Sequence, residues 1–258
     1  MKIRSLVAAA NIGFMCLLMV GIAAEAAELK VLSATGMQAV MEDLGPKFER
    51  ATGHKLAITF ATLGAVVKRV QDGETADVVV IPQQGIDGFV KDGKAVAGNV
   101  TVLARSGIVV AVRKGAPTPD ISSPDALKRT LLAAKSISYV DPASGGASGI
   151  HFAKVLDRLG IANEMQSKTV FPNPKTPAEV GVLVANGEAE IGVHLIQELM
   201  SVAGIDLVGP LPGDLQATTV FSAAIMTGAK EAAAAKALVD FLANPSAAPV
   251  FKAKGFTS

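Results

Sequence analysis

Asp141-Pro142-Ala143-Ser144-Gly145-Gly146-Ala147-Ser148-Gly149-Ile150-His151-Phe152 is the stretch on which the fold of this chain turns. Before it, Ile137-Ser138-Tyr139-Val140 is β-branched and aromatic and reads as a strand. After it, the apolar spacing from Ile150 to Leu159 predicts an amphipathic helix. A strand, a glycine-rich turn and a helix together present backbone N–H groups to a small anion. The first N–H groups of a helix have no partner within it, and the helix dipole favours negative charge there. A plain flexible connection has the same composition, so the rest of the chain has to decide.

Outward from this stretch the same unit recurs. Leu29 to Ala34 reads as a strand that ends in Thr35-Gly36, with a helical pattern from Met37. Leu56 to Phe60 is a second strand, running through Thr62-Leu63-Gly64 into a helix. Asp77 to Ile81 is an apolar run of the kind buried on both faces of a sheet. Further strands are expected at Ile108–Val112, Ala189–His194, Ile205–Val208 and Thr218–Met226. Helices are expected after Ser123-Pro124, from Thr176 to Ala185, from Leu195 to Ala203, and over Lys230–Leu242 and Ser246–Lys254. Short strands alternating with helices predict an α/β fold with a mostly parallel sheet, which binds ligands beyond the carboxyl ends of its strands.

Composition narrows the function. Lys2 and Arg4, the apolar run Ile12 to Ala24 and the small residues around Glu25 predict a signal peptide over residues 1–26, hence export to the periplasm. Removing Lys2, Arg4 and Glu25 from 24 basic and 23 acidic residues leaves the mature chain balanced. With no basic block, nucleic acid is excluded as a partner, and no membrane association is expected after cleavage. The single cysteine, Cys16, lies inside the signal, so the mature chain has no disulfide, thiol nucleophile or thiolate metal site.

Val31-Leu32-Ser33-Ala34, Asp72 to Val78, Asp141-Pro142, Gly187 to Gly192 and the closing Phe251 to Thr257 resemble type-2 periplasmic solute-binding proteins of the molybdate-binding branch. The likeness implies two α/β lobes with the ligand in the cleft between them. Lobe I would be 28–104 with 220–258, lobe II would be 105–219, and the crossings would fall near 103–107 and 213–221. It also implies a monomer that captures a small anionic ligand, an ABC permease as partner, and no metal or cofactor. At the ligand positions the chain departs from that branch. Gly36 stands where those proteins carry a serine, Thr62-Leu63-Gly64 replaces a serine cluster, and His194-Leu195 replaces a tyrosine. The loop after Asp141-Pro142 is also longer than theirs. These departures suit an organic di- or tricarboxylate better than molybdate or tungstate.

Ala133 to Tyr139, taken with Asp141 to Gly149, is similar to a narrower subgroup that includes aconitate isomerase, which interconverts cis- and trans-aconitate. Carrier and isomerase therefore both stand. Candidate ligand-binding residues are Thr35, Gly36, Thr62, Gly64, Arg105, Ser144, Gly145, Gly146, Ala147, Ser148 and Thr176. His151 and His194 are the candidate bases if the protein is an isomerase. Arg105 is either a carboxylate clamp or a hinge ion pair, and His194 is either a base or a core histidine.

Overall fold

A computed structural model describes residues 26–173 and 179–257. The signal peptide expected at 1–26, apart from Ala26, and the helix start expected at Thr176 lie outside the described residues. The elements in order are β1 Glu28–Ala34, α1 Gln38–Thr52, β2 Lys55–Ala61, α2 Leu63–Gln71, β3 Val78–Pro82, α3 Gln83–Lys91 and β4 Ala95–Arg113. They continue with α4 Pro124–Ala133, β5 Ile137–Tyr139, α5 Ala147–Arg158, α6 Ala162–Gln166, α7 Val180–Asn186, β6 Ile191–Leu195 and α8 Ile196–Met200. β7 Ile205–Pro210, β8 Thr218–Met226, α9 Ala232–Ala243 and α10 Ala248–Ala253 close the chain.

The strands follow the order β2-β1-β3-β8-β4-β6-β5, with β7 also paired to β4. β1 runs parallel to β2 and β3, and β5 parallel to β6. β8 is antiparallel to β3 and β4, and β4 is antiparallel to β6 and β7. The sheet is thus mixed, where the βα alternation predicts mostly parallel pairing. The cause is the long β4, read from the sequence only at Ile108–Val112. Its first part pairs with β8 from Ala95 to Gly107, and its second with β6 and β7 from Ile108 to Arg113. A chain that leaves one strand group along β4 and returns along β8 must run those two strands in opposite directions.

The buried strands explain the core. Val78 to Ile81 are all fully buried, as a strand covered on both faces requires. α1, α3 and α9 add Val40, Met41, Phe48, Ile86, Phe89 and Leu238 to that core. α4 and α5 add Leu127, Leu131, Phe152 and Val155 around β5 and β6. Asp77 is a buried charge with a structural task. Its carboxylate accepts the N–H of Lys30 (2.9 Å), of Lys230 (2.9 Å) and of Glu231 (3.4 Å). It ties β1 to the residues just before α9, Lys230 lying 153 positions beyond Asp77, and this gives the Asp72–Val78 landmark a physical reason.

Candidate functional site

The carboxyl ends of β1, β2, β3, β5 and β6 converge on one cavity of about 60 Å³. Thr35 and Gly36 line it from the turn after β1, Thr62 and Leu63 from the start of α2, and Pro82 from the end of β3. Val140, Gly146, Ala147 and Ser148 line it from the β5–α5 turn, and His194, Leu195 and Glu198 from β6 and α8. The sequence candidates Thr35, Gly36, Thr62, Gly146, Ala147, Ser148 and His194 are therefore brought together.

The β5–α5 turn is shaped by its small residues. Asp141 accepts the N–H of Ala143 (2.9 Å), and Ser144 donates its hydroxyl to the Asp141 carbonyl (2.7 Å). Gly145 then takes a left-handed conformation at φ +74° that glycine adopts without strain. α5 begins three residues earlier than its apolar spacing predicts, because its first turn packs directly on the end of β5. A Cβ on Gly149 would lie 2.0 Å from the Val140 carbonyl oxygen, so only glycine fits there. Gly146 caps the helix without a side-chain bond, and the first backbone bond back to it comes from Ile150. The N–H groups of Ala147, Ser148 and Gly149 precede that bond and form a donor array beside the cavity.

Gly64, Ser144 and Gly145 sit where the α2 start meets the β5–α5 turn. Thr62 donates its hydroxyl to the Ser144 carbonyl (2.7 Å), and the Gly64 N–H donates to the Gly145 carbonyl (3.2 Å). The two glycines touch through backbone: a Cβ on Gly64 would lie 2.8 Å from Gly145 Cα.

His194 and Glu198 carry the titratable chemistry. His194 Nδ1 accepts the Leu195 N–H (2.8 Å) and lies 3.1 Å from Ser148 Oγ. A ring nitrogen that accepts a backbone N–H carries no proton, so Ser148 donates to it and the ring proton sits on Nε2. Nε2 lies 3.3 Å from Glu198 Oε2. Burial depresses the His194 pKa to about 4, against a smaller opposing effect of Glu179, so the ring is neutral near pH 7. Burial also pushes the Glu198 carboxyl up to about 7, against a hydrogen bond from Thr35 that lowers it. Glu179, just before α7, is raised by burial first and then by the charge of Glu198. Ser148, His194 and Glu198 thus form a chain of polar groups along one wall, ending in a carboxyl whose pKa burial raises.

Glu198 was not a sequence candidate. Its signal is the i, i+4 spacing from His194, which places both on one side of the β6–α8 junction. Gln197 was missed as well. It is buried, its Oε1 accepts the Ser106 hydroxyl, and its Nε2 has no hydrogen-bond partner among the described residues. A Cβ on Gly36 would come within 2.9 Å of that Nε2, so a glycine at this position makes room for the amide.

Two candidates lie elsewhere. Arg105 is exposed on β4, is absent from the cavity wall, and is held there by backbone bonds to Thr257 (2.8 and 2.9 Å). His151 donates Nε2–H to the Leu215 carbonyl (2.8 Å) and faces a neighbouring cavity. Among the described residues no cluster of three or more His, Cys, Asp or Glu has a metal-binding arrangement, and no helix is long and apolar enough to cross a membrane.

Residues 29–257 match the family described as bacterial extracellular solute-binding proteins. The chain is 37% identical over 234 residues to aconitate isomerase from a Pseudomonas species, covering 88% of this chain and 86% of that one. It is 31% identical over 239 residues to the molybdate-binding protein ModA of Azotobacter vinelandii, covering 91% of each. The solved structure of the periplasmic molybdate-binding protein of that organism superposes with a TM-score of 0.71 at 21% identity, over 89% of this chain and 99% of that one. The sulfate-binding protein SubI from Mycobacterium tuberculosis H37Rv also gives a TM-score of 0.71, at 17% identity, over 89% of this chain and 86% of that one. These likenesses give the chain the α/β fold of the periplasmic binding proteins.

Proposed function

The chain belongs to the bacterial extracellular solute-binding protein family, and within it we propose that the protein is an isomerase that shifts the double bond of an unsaturated tricarboxylate of the aconitate type. The observation that carries this reading is Glu198. A carrier of anions needs only donors around its ligand. A buried carboxyl with its pKa raised to about 7 repels an anion once ionised, so its place on the cavity wall suits proton transfer instead.

The step is an allylic proton shift. Ionised Glu198 removes a proton from the methylene carbon next to a carboxylate, and the electron pair delocalises across the neighbouring double bond. Glu198 then returns the proton to the carbon that was vinylic, and the double bond has moved by one position. The N–H groups of Ala147, Ser148 and Gly149 hold the carboxylate that takes up the developing charge. His194 stays neutral, keeps Nε2–H toward Glu198, and sets the orientation of Ser148.

The reading takes β1, β2, β3, β8 and the first part of β4 as the core of one lobe, residues 28–104 and 220–258. It takes β5, β6, β7 and the rest of β4 as the core of the other, residues 105–219. The ligand enters between them, and the Thr62–Ser144 and Gly64–Gly145 bonds clasp the mouth after closure. The mature protein works in the periplasm as a monomer.

A second reading has its own support. A cavity of about 60 Å³ suits a compact oxyanion, and one relative 31% identical is a molybdate-binding protein. In that case the protein delivers its anion to an ABC permease. Titration calorimetry with molybdate and with cis-aconitate, beside an assay of isomerisation, separates the two. Turnover of cis-aconitate supports the isomerase, and molybdate binding without turnover supports the carrier.

A further inference from the structure

A second cavity of about 320 Å³ adjoins the first, and Pro82 and Ala147 line both. α5 supplies one wall of each. Ala147 borders the inner cavity, while Ile150, His151 and Lys154 follow at the i+3, i+4 and i+7 spacing of one helix face. Over those seven residues the helix rises roughly 10 Å, and side chains lean back toward its N-terminus, so the Lys154 ammonium reaches toward Ala147.

The lining mixes apolar and polar groups and carries one sign of charge. Lys154 brings a positive charge with no ion-pair partner among the described residues, and no Asp or Glu lines this cavity. Gln84 and the hydroxyls of Thr218 and Thr219 add hydrogen-bonding groups. Gln83 is already engaged, since it donates to Asp87 (2.7 Å) and accepts the Ser222 hydroxyl. His151 is engaged too, through Leu215, and fixes the far wall. The inner cavity, at about 60 Å³, has room for one carboxylate and the carbon beside it but not for a six-carbon tricarboxylate.

We propose that the outer cavity is a second anionic subsite, in which Lys154, Gln84 and Thr218–Thr219 hold a substrate carboxylate remote from the one beside Ser148. This rests on the isomerase reading for the nature of the substrate, and it makes that substrate a polycarboxylate that spans both cavities. Lys154 then selects for ligands with a second negative charge, whereas a monocarboxylate or molybdate fills the inner cavity alone.

The test is titration calorimetry of the full mature chain with tricarballylate, a saturated tricarboxylate that cannot undergo the allylic shift, and with molybdate as the compact comparison. Lys154→Met is expected to weaken tricarballylate about tenfold, equivalent to about 1.4 kcal/mol. Lys154→Arg should stay within about threefold of wild type, and any molybdate binding should change less than twofold, on the scale of an exposed charge effect. The melting temperature of the unliganded Lys154→Met protein should match wild type, because the side chain is exposed. Equal tricarballylate affinity in Lys154→Met and wild type overturns the subsite, as does a wild type that binds no tricarballylate. Failure of the isomerase reading looks different: tricarballylate binds and Lys154→Met weakens it, yet cis-aconitate is not turned over.

Discussion

Glu198→Gln separates the chemical role of the carboxyl from its structural cost. The folded protein raises the Glu198 pKa from an ordinary 4.5 to about 7 by burial. The sign follows directly. An acid whose pKa is raised on folding binds its proton more tightly in the folded state. Its contribution to stability is complete below about pH 4.5 and is lost as pH rises through 7. A shift of this size corresponds to about 3 kcal/mol, at 1.36 kcal/mol for each pKa unit. Glutamine resembles the protonated acid and never ionises. Glu198→Gln should therefore match wild type near pH 4.5 and exceed it by about 3 kcal/mol at pH 8.5. His194 has the opposite slope, because its pKa is depressed from 6.5 to about 4 and its stabilisation is lost as pH falls through that range. Both proteins carry His194, so the difference between them cancels its contribution. Urea unfolding from pH 4.5 to 8.5 measures the gap. The same variant should lose about 10² to 10⁴ in isomerisation rate, the usual worth of a positioned acid–base group. A stability gap that does not change with pH refutes the buried-carboxyl argument, and a fully active Glu198→Gln refutes its role as the base.

Two other substitutions test the mouth of the site and the frame. Gly64→Ala needs no unusual backbone conformation, but its Cβ would press on Gly145 Cα at 2.8 Å and on the Ser144 carbonyl at 3.1 Å. Backbone cannot yield as a flexible side chain does, so the variant should unfold at a lower urea concentration than wild type, by about 1–3 kcal/mol. Ligand affinity should fall about tenfold by calorimetry, close to 1.4 kcal/mol, and unchanged affinity would remove the clasp. Asp77→Ala strips an acceptor from three backbone N–H groups in a buried setting and should cost about 2–4 kcal/mol in urea unfolding. A loss below about 0.5 kcal/mol, the scale of a surface substitution, would show that Asp77 is not the tie described here.

Local chemistry made the βα turns legible in the sequence, and long-range pairing hid the rest. The Thr-, Ser- and Gly-rich ends after β1, β2 and β5 place Thr35, Thr62 and Ser148 around one cavity because β1 and β2 point their carboxyl ends at it from one side and β5, running the opposite way, from the other. β4 was legible only at Ile108–Val112, where it is buried. From Val96 to Thr101 its residues are exposed or half-buried and show no clear alternation. The antiparallel return of β8 depends on which strand it meets, and periodicity carries no such information. α6 escaped notice because five residues are too few to show a helical period. Glu198 reads as one more acid on a helix until folding sets it against His194 and Thr35, the latter 163 positions earlier in the chain. Arg105 shows the converse. It is a cation at the expected crossing, but it lies exposed on β4, outside the cavity lining, where its backbone pairs with Thr257.

The central claim is that this solute-binding fold performs an allylic proton shift on a tricarboxylate. The most direct measurement incubates the purified mature protein with cis-aconitate in D₂O and follows the products by proton NMR. The account predicts that trans-aconitate accumulates above the protein-free rate, that its vinylic or methylene position gains deuterium from the exchanging carboxyl, and that both signals disappear in Glu198→Gln. An unchanged cis-aconitate spectrum, from a sample that binds molybdate, would contradict it.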